Sequence, residues 1–307
     1  DHYKITRTFD SAGRPQLTRI KLLRQTMVRR QGEAFVSKIP YYDAQVVVPS
    51  HTNYRRVIGN CINIYHELGI KPRKGSIKAW EKLVKHIAGD QAELLWDYIQ
   101  LLYLYPLQVL PVLCLVSPEN GTGKTTFGNG LSHLYGANVG FFAQDDLNSQ
   151  FNTWLLSLVA IFEEISDTTR SLNKIKALST ARQATVNAKY QQQISIDPFV
   201  KIVIFSNNDE TFIKANAEDI RYWVIRVSPL PEDNLDPDFD EKLRAEAPAV
   251  LDFLLRRKLS TTKQSRMWFA PEQIRPQALA KVVHESRSDI RKDLEAIIEA
   301  KLEESGA

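Results

Sequence analysis

The sequence predicts an α/β fold with a largely parallel β-sheet, and three observations support that prediction. Apolar runs of strand length alternate with helical or mixed segments between about Pro111 and Pro229. Residues 112–127 have the pattern of a buried strand, a glycine-rich turn and a helix start. Polar side chains directly follow two later apolar runs, and ligands collect beyond the carboxyl ends of strands in such sheets.

Composition describes an ordinary globular chain. The 307 residues are 43% hydrophobic and 25% charged, and Cys61 and Cys114 are too few and too separated for a zinc ribbon. The longest apolar stretches, such as 109–116, are too short to cross a bilayer. The first residues do not have the basic segment followed by an apolar segment that is typical of a signal peptide. We therefore expect no membrane contact and a cytoplasmic location.

Positive charge is concentrated in the first part of the chain. Residues 1–90 carry 17 lysines and arginines against 7 aspartates and glutamates, a net charge of +10, whereas the rest carries −6. The excess includes Arg29-Arg30, Arg55-Arg56 and the segment 71–74. Clustered positive charge is typical of a protein that binds a phosphate backbone and equally of a solvated basic face, so both interpretations stay open.

Two regions precede the alternating segment. Residues 1–75 form a basic N-terminal region that mixes short apolar runs with polar turns and predicts no definite topology or function. Residues 76–110 predict packing helices. Ser76 is positioned to cap a helix that ends near Gly89, and the sequence Asp90 to Glu93 resembles a capping box for a second helix.

The region 111–230 supplies the predicted sheet, and the region 231–307 supplies a helical tail. Four apolar runs predict strands: Val112–Val116, Leu158–Phe162, Val200–Phe205 and Tyr222–Val227. The tail is acidic at first, then helical over about 239–259 and again over about 276–304. We interpret it as a helical lid or a partner surface.

The first predicted strand leads into a phosphate-binding loop. Gly121 and Gly123 give backbone freedom beside Lys124, although Pro118 stands where the full pattern has its first glycine. In such a loop, backbone N–H groups and a helix N-terminus surround phosphates, while a lysine and a hydroxyl reach the terminal phosphates and Mg²⁺. The predicted nucleotide-binding residues are Asn120, Gly121, Thr122, Gly123, Lys124, Thr125 and Thr126.

Polar residues at the ends of the next two strands extend this site. Glu163 is predicted to hold the hydration shell of Mg²⁺ together with Thr125, and Glu164 to orient and activate the attacking water. Asn207 is predicted to hydrogen-bond the γ-phosphate or that water, with Asn208 as the second choice. No Asn-Lys-x-Asp sequence occurs, which disfavours a guanine-specific GTPase.

A basic, polar segment lies between these strands. Residues 174–197 contain only one acidic residue, at the end of the segment, and predict a hairpin that presents Lys189 to a nucleic-acid backbone. Lys176 and Arg182 are further candidates for phosphate contacts, and Tyr190 is a candidate for supporting them or stacking on a base. A solvated hairpin without this function is the alternative.

Two arginines accompany the last predicted strand. Arg221 directly precedes it and Arg226 lies within it. An arginine supplied in trans stabilises charge on a transferring phosphoryl group, which makes hydrolysis depend on assembly. We assign this role to Arg221 and expect Arg226 to form a structural ion pair.

Five motifs, in their order along the chain, together resemble the superfamily 3 helicase domain. They are the phosphate loop, Phe162-Glu163-Glu164, the 176–190 segment, Ser206-Asn207 and Asp219-x-Arg221. The set is similar in particular to helicase domains of phage, plasmid and viral primase-helicases, and the resemblance covers about residues 45–230. It implies an AAA+-like P-loop NTPase core that works as a homo-oligomeric ring, usually a hexamer, with ATP between subunits. The hairpin would then grip single-stranded DNA in the channel, in a bacterial host or a virus-infected cell.

The resemblance also implies a role for each matched residue. It implies that Lys124 and Thr125 bind phosphates and Mg²⁺, and that Glu163 and Glu164 bind the metal and the water. It further implies that Asn207 contacts the γ-phosphate and that Lys189 binds DNA. Arg221 would contact the nucleotide of the neighbouring subunit. Ala181-Arg182-Gln183 departs from the pattern, since many relatives have a Gly-Asp-like turn there. No primase half is recognisable before residue 90. A replication partner or a fused primase is among the partners that the resemblance allows.

The resulting expectation is an ATP-dependent DNA helicase motor of a replication protein. Two alternatives stay open. One is a P-loop ATPase that remodels or loads protein partners, and the other is a non-catalytic initiator scaffold in which nucleotide stabilises a ring.

Overall fold

Two small β-structures occupy the N-terminal region, for which the sequence predicts no definite topology. The structure is a computed structural model that describes residues 2–9, 15–165, 169–189, 193–207, 221–230, 236–274 and 294. It begins with an antiparallel hairpin and two short helices: β1 (His2–Phe9), β2 (Pro15–Leu22), α1 (Arg24–Gln31) and α2 (Glu33–Val36). A second sheet, in the order β3-β5-β4, follows: β3 (Ala44–Val46), β4 (Val57–Ile58) and β5 (Cys61–Asn63).

Two helices come next, as the sequence predicts: α3 (Lys78–Ala88) and α4 (Ala92–Leu104). The Ser76 hydroxyl accepts a hydrogen bond from the Lys78 N–H at 3.3 Å, and α3 ends at Gly89, whose φ is +52°. The predicted capping box at residues 90–93 is wrong. A 3-10 turn over Gly89–Gln91 leads directly into α4, so the backbone has no open N-terminus there for the box to cap.

The rest of the chain builds a parallel sheet with flanking helices. In chain order its elements are β6 (Val112–Val116), α5 (Lys124–Tyr135), β7 (Val139–Phe142), α6 (Gln144–Asn148), β8 (Val159–Glu163), α7 (Thr169–Thr180), β9 (Ala184–Val186), β10 (Ile194–Ile196), β11 (Lys201–Ser206), β12 (Tyr222–Arg226), α8 (Phe239–Arg256) and α9 (Pro271–Ile274). The five-stranded sheet has the order β12-β6-β11-β8-β7, and every pair of neighbours is parallel. The predicted fold class, an α/β P-loop core, is confirmed.

Four of the five strands match predicted runs to within one residue, and β7 is the strand that the sequence does not reveal. Its four residues include Gly140, and a glycine weakens the pattern of a strand. A Cβ atom at Gly140 would lie 2.5 Å from the Phe142 ring, so any other residue there would require that ring to shift. The sheet therefore has an edge strand that periodicity alone does not identify.

The core lies around β6, where all five residues are buried. Burial on both faces explains why these strands read as continuous apolar runs rather than as alternating ones. Trp80 of α3 and Trp223 of β12 are fully buried beside them, and each large apolar side chain contributes roughly 1.5–3 kcal/mol when it is removed from water.

The C-terminal region packs onto this core through α8. Helix α8 contacts α5, α3 and α4. Beyond it, the fully buried Asp97 of α4 accepts hydrogen bonds from the Thr261 hydroxyl at 2.6 Å and the Ser260 N–H at 3.0 Å, and it pairs with Arg257. Most of the predicted 276–304 helix lies outside the described residues. Among the described helices, none has the length and apolarity of a membrane span.

Candidate functional site

Parallel register brings the predicted polar residues to one edge of the sheet. Glu163 at the end of β8 lies opposite Phe205 in β11, and Ser206 lies opposite Val116 in β6. The pairing continues past the strands, because the Ser117 N–H donates to the Ser206 carbonyl at 3.1 Å. The residues just beyond the three strands are therefore neighbours in space.

The loop between β6 and α5 has the geometry of an anion-binding turn. Gly121 and Gly123 have φ values of +69° and +88°, in the left-handed region that residues with a Cβ atom rarely adopt. Helix α5 begins immediately at Lys124, so its unpaired N–H groups and its positive end lie at the loop. The structure thus has the strand, loop and helix that the sequence predicts here.

Lys124 is the central cation of this loop. It is 8% exposed, and its Nζ donates to the Thr122 hydroxyl at 3.2 Å and to the Glu119 carbonyl at 3.4 Å. Burial lowers the pKa of Lys124, while the nearby Glu119 carboxylate opposes that shift. Both hydrogen bonds are long for a charged donor, which leaves the amine well suited to bind an added anion.

Glu164 occupies a strained position at the tip of β8. Its φ is +53°, a left-handed conformation that is uncommon outside glycine and costs of order 1–3 kcal/mol. The strain is offset locally, because the Glu164 N–H donates to the Phe205 carbonyl at 2.9 Å. The Asn207 amide donates to Glu164 Oε1 at 3.3 Å and to Asn120 Oδ1 at 3.2 Å. Asn207 thereby links the acid to the loop, and Asn208 lies outside the described residues.

One cavity of about 550 Å³ collects these groups. Its lining includes ten of the predicted site residues: Asn120, Gly121, Thr122, Gly123, Lys124, Thr125, Thr126, Glu163, Glu164 and Asn207. The volume lies in the range of small-molecule and cofactor sites. Carboxylates of exposed Glu163 and Glu164 and the exposed Thr125 hydroxyl are the oxygen ligands that Mg²⁺ prefers, so the donor set fits a magnesium nucleotide.

A second wall of the cavity comes from helices that the sequence reasoning assigned only to packing or to a lid. Lys82 and His86 of α3 and Phe239 of α8 line it. His86 Nε2 is 3.0 Å from the Thr122 carbonyl, which supports the loop from behind. The Lys82 amine lies 5.9 Å from the centre of the Phe239 ring. No local motif marks these residues, since only tertiary packing brings α3 and α8 to the loop.

The two candidate arginines lie at opposite ends of β12. Arg226 is opposite Val116 and therefore lies at the cavity edge of the sheet, where its side chain is exposed. Arg221 precedes the strand, and its carbonyl accepts from the Val112 N–H at 2.7 Å at the other edge. Five strand residues span about 17 Å, so Arg221 is remote from the phosphate loop of its own subunit.

The predicted hairpin is confirmed by the antiparallel pairing of β9 with β10. Lys189 is exposed in the turn that follows β9. Arg182 is exposed just before β9, whereas Lys176 is half-buried on α7 and so lies on a different element from the hairpin. Tyr190 lies outside the described residues. The structure therefore groups Arg182 and Lys189 on the hairpin and its approach.

Comparison with known proteins gives one family match and a set of structural matches. Residues 115–221 match a family of unknown function, DUF5906. No curated protein matches the chain by sequence. An apo structure of the NrS-1 C-terminal region (305–718) is similar, with a TM-score of 0.68 and 17% identity, covering 91% of this chain and 71% of that chain. These matches show the fold.

Two further structures are also similar. An A form apo structure of the NrS-1 C-terminal region has a TM-score of 0.68 and 16% identity, covering 89% of this chain and 69% of that chain. A structure of JCV helicase bound to a small molecule has a TM-score of 0.39 and 16% identity, covering 72% of this chain and 62% of that chain. The fold is thus similar to that of the NrS-1 region over most of this chain.

Proposed function

We propose that this chain is the ATP-dependent DNA helicase motor of a replication protein. The observation that carries the proposal is the convergence of the phosphate loop, Glu163, Glu164 and Asn207 on one cavity in a chain that also presents Lys189 on a hairpin. A nucleotide site alone would serve many functions. The added basic hairpin favours a motor that acts on a nucleic-acid strand.

The phosphate loop binds the triphosphate of ATP in this proposal. Backbone N–H groups beside Gly121 and Gly123 and the first turn of α5 surround the phosphates, and Lys124 donates to the terminal ones. Thr125 and Glu163 hold Mg²⁺, which supplies neutralisation of the phosphate charge when bound. Lys124 exchanges its long hydrogen bonds to the protein for stronger charge-assisted ones.

Glu164 acts as the base toward the attacking water. It accepts a proton from the water as the oxygen attacks the γ-phosphorus atom, the bond from that phosphorus to the β,γ-bridging oxygen breaks, and ADP leaves. Asn207 orients the water or the γ-phosphate. The strained backbone of Glu164 and its hydrogen bond from Asn207 hold the carboxylate in a defined place before the substrate arrives. Preorganisation of this kind favours hydrolysis.

Arg221 serves the nucleotide of a neighbouring subunit. Its remoteness from its own phosphate loop disfavours action in cis and supports a head-to-tail ring in which one subunit completes the next site. The ring surrounds single-stranded DNA, which Lys189 binds through phosphate contacts. We propose a hexamer for the ring, and a fused primase or another replication protein as its further partner.

The decisive experiment is ATP hydrolysis by the purified chain with and without single-stranded DNA, at concentrations that permit assembly. The proposal expects turnover that DNA stimulates and that Lys124→Ala abolishes. Lysine-dependent turnover that DNA leaves unchanged would favour an ATPase that remodels protein partners. ATP-dependent assembly and DNA binding without turnover would favour a replication initiator scaffold.

A further inference from the structure

Two asparagines fasten the end of β9 nearest the turn to the segment that precedes β8. The Asn187 N–H donates to Asn152 Oδ1 at 2.7 Å, and the Asn152 N–H donates to the Asn187 carbonyl at 3.1 Å. Asn152 Nδ2 donates to the Thr185 carbonyl at 2.9 Å, and Asn187 Nδ2 donates to the Gln150 carbonyl at 3.2 Å. These four hydrogen bonds form the asparagine clamp.

On one side the clamp holds the strand that leads to the basic turn. Thr185 lies within β9, and Asn187 is the first residue after β9, two positions before Lys189. Because both the backbone and the side chain of Asn187 are bonded, the chain has little freedom just before the turn. Lys189 is therefore connected to Asn152 through two residues of chain and these hydrogen bonds.

On the other side the clamp leads to the predicted catalytic acids. The Asn152 carbonyl accepts from the Leu155 N–H at 3.0 Å and begins the 3-10 turn Thr153–Leu156. Within that turn, Trp154 is 1% exposed and packs edge-on against Phe162, with 5.5 Å between ring centres. Phe162 directly precedes Glu163 in β8. Close-packed side chains transmit displacement, so this contact connects the clamp to the tip of β8.

The hairpin has other sources of stability. Val186 and Ile196 are buried with 2% and 7% of their surface exposed, so the two strands remain packed on the core when the clamp is broken. Both clamp asparagines are only half-buried. Because these polar side chains are half-exposed, they contribute little to the stability of the core. They are placed to relay a movement of the hairpin to the segment before β8.

We propose that the asparagine clamp couples engagement of a DNA strand at the hairpin to hydrolysis at Glu163 and Glu164, with Asn152 and Asn187 as positioning residues. This inference rests on the proposed function. It states that a DNA strand in contact with Lys189 changes the rate of ATP hydrolysis through the clamp. Neither clamp asparagine lines the cavity, so loss of the clamp uncouples the two activities without removing either.

The test is a set of graded variants of the full chain, measured for basal and DNA-stimulated ATP hydrolysis. Asn152→Ala removes both side-chain bonds of Asn152 and is expected to lower the DNA stimulation about 2- to 30-fold, with basal kcat and the KM for ATP unchanged. Asn152→Asp keeps the acceptor for the Asn187 N–H but places a carboxylate oxygen against the Thr185 carbonyl, so it is expected to lower the DNA stimulation at least as much as Asn152→Ala. Asn187→Ala loses only the bond to Gln150 and has the smallest effect.

A matched control comes from the same segment. Asn148 donates to the Ser171 hydroxyl at 3.0 Å in the first turn of α7, away from the hairpin strands. Asn148→Ala is expected to retain wild-type stimulation. Combining Asn152→Ala with Asn187→Ala is expected to cost less than the two effects added, because both side chains serve one clamp.

The outcomes separate this inference from the proposed function. A wild-type ATPase that DNA does not stimulate overturns both. DNA stimulation that survives unchanged in Asn152→Ala, or that Asn148→Ala lowers equally, overturns the inference alone. An equal loss of basal and stimulated hydrolysis in both Asn152 variants makes the clamp a structural support and also overturns the inference.

Discussion

Lys124 and Lys201 lie at opposite edges of the same sheet, and the comparison between them separates a lysine that we propose to bind phosphate from one with interior hydrogen-bond partners. They are 8% and 3% exposed. Burial lowers the pKa of Lys124 and lowers that of Lys201 to about 7. Lys124 borders a cavity and makes long hydrogen bonds, whereas Lys201 donates to the Phe199 carbonyl at 2.7 Å and to the Pro106 carbonyl in the interior.

The difference teaches that burial of a lysine does not by itself indicate function. Lys201 has backbone acceptors and does not line the cavity that Lys124 borders, so its amine ties the start of β11 to the loop after α4. Lys124 has weaker partners beside open space that also contains the proposed metal and water ligands. A polar group with weak partners at a cavity is the better candidate for binding an anion.

The largest predicted effect comes from matched substitutions of the two lysines. Lys124→Met is expected to reduce ATP hydrolysis by at least about 100-fold, because the charge on the phosphates loses its central cation. Lys201→Met is expected to keep hydrolysis within about twofold while changing the thermal unfolding temperature, because it alters a buried hydrogen-bonded site. Steady-state kinetics and thermal melts check both, and equal loss of hydrolysis in the two variants would contradict the distinction.

The next effect concerns Glu164, which lines the cavity just beyond the carboxyl end of β8. Glu164→Gln keeps the shape and the acceptor for Asn207 but removes the base, so we expect ATP binding to persist while kcat falls about 10²- to 10⁴-fold. Equilibrium binding of a fluorescent ATP analogue, measured beside turnover, separates the two quantities. Glu163→Gln is the matched comparison and is expected instead to raise the Mg²⁺ concentration that half-maximal turnover needs, because a proposed metal ligand loses its charge.

Arg221 extends the comparison to the opposite edge of the sheet. Arg221→Ala is expected to lower hydrolysis about 10²- to 10³-fold in the assembled protein, because a charge-stabilising donor is lost. Mixing Arg221→Ala with Lys124→Ala subunits is expected to restore some activity, since an intact loop then meets an intact arginine from its neighbour. Failure of the mixture, with Arg226→Ala as damaging as Arg221→Ala, would contradict action in trans.

Lys189 tests the hairpin with a smaller effect. Lys189→Ala is expected to weaken single-stranded DNA binding, to reduce the slope of its salt dependence by about 1, and to spare basal hydrolysis. Titrations at several salt concentrations measure the slope. Lys263→Ala, an exposed lysine outside the hairpin, is a control that is expected to leave the slope unchanged.

The smallest effect concerns how the contribution of Lys201 to the free energy of unfolding changes with pH. Its pKa is about 7 in the folded chain and 10.5 as a reference, so between these values the unfolded chain binds more protons. The Lys201 contribution to the free energy of unfolding therefore rises from pH 7 to pH 10.5, by at most about 1.4 kcal/mol per pH unit. Urea unfolding at pH 7.5, 8.5 and 9.5 is expected to show a shallower rise for Lys201→Met. Parallel curves would contradict a neutral buried amine.

Much of the fold was predictable because its signals are local. Continuous apolar runs predicted four of the five strands of the central sheet, and the glycine-rich turn predicted where α5 begins. The edge strand β7 was missed because it is short and contains Gly140. The capping box before α4 was wrong because the chain enters that helix through a 3-10 turn. Local patterns are ambiguous where a neighbouring element changes the backbone.

The sequence by itself determined the order of the chemistry: a phosphate loop with Lys124, then two acids, then an amide, each at the end of an apolar run. Parallel pairing follows from such runs, so their carboxyl ends meet at one edge. Only the tertiary structure decided which residues face this edge of the sheet and which distant residues pair. It brought His86 and Phe239 to the cavity, gave Glu164 its left-handed backbone, and joined Asn152 to Asn187. Those contacts unite residues far apart in the chain, and no local pattern encodes which surfaces will pack together.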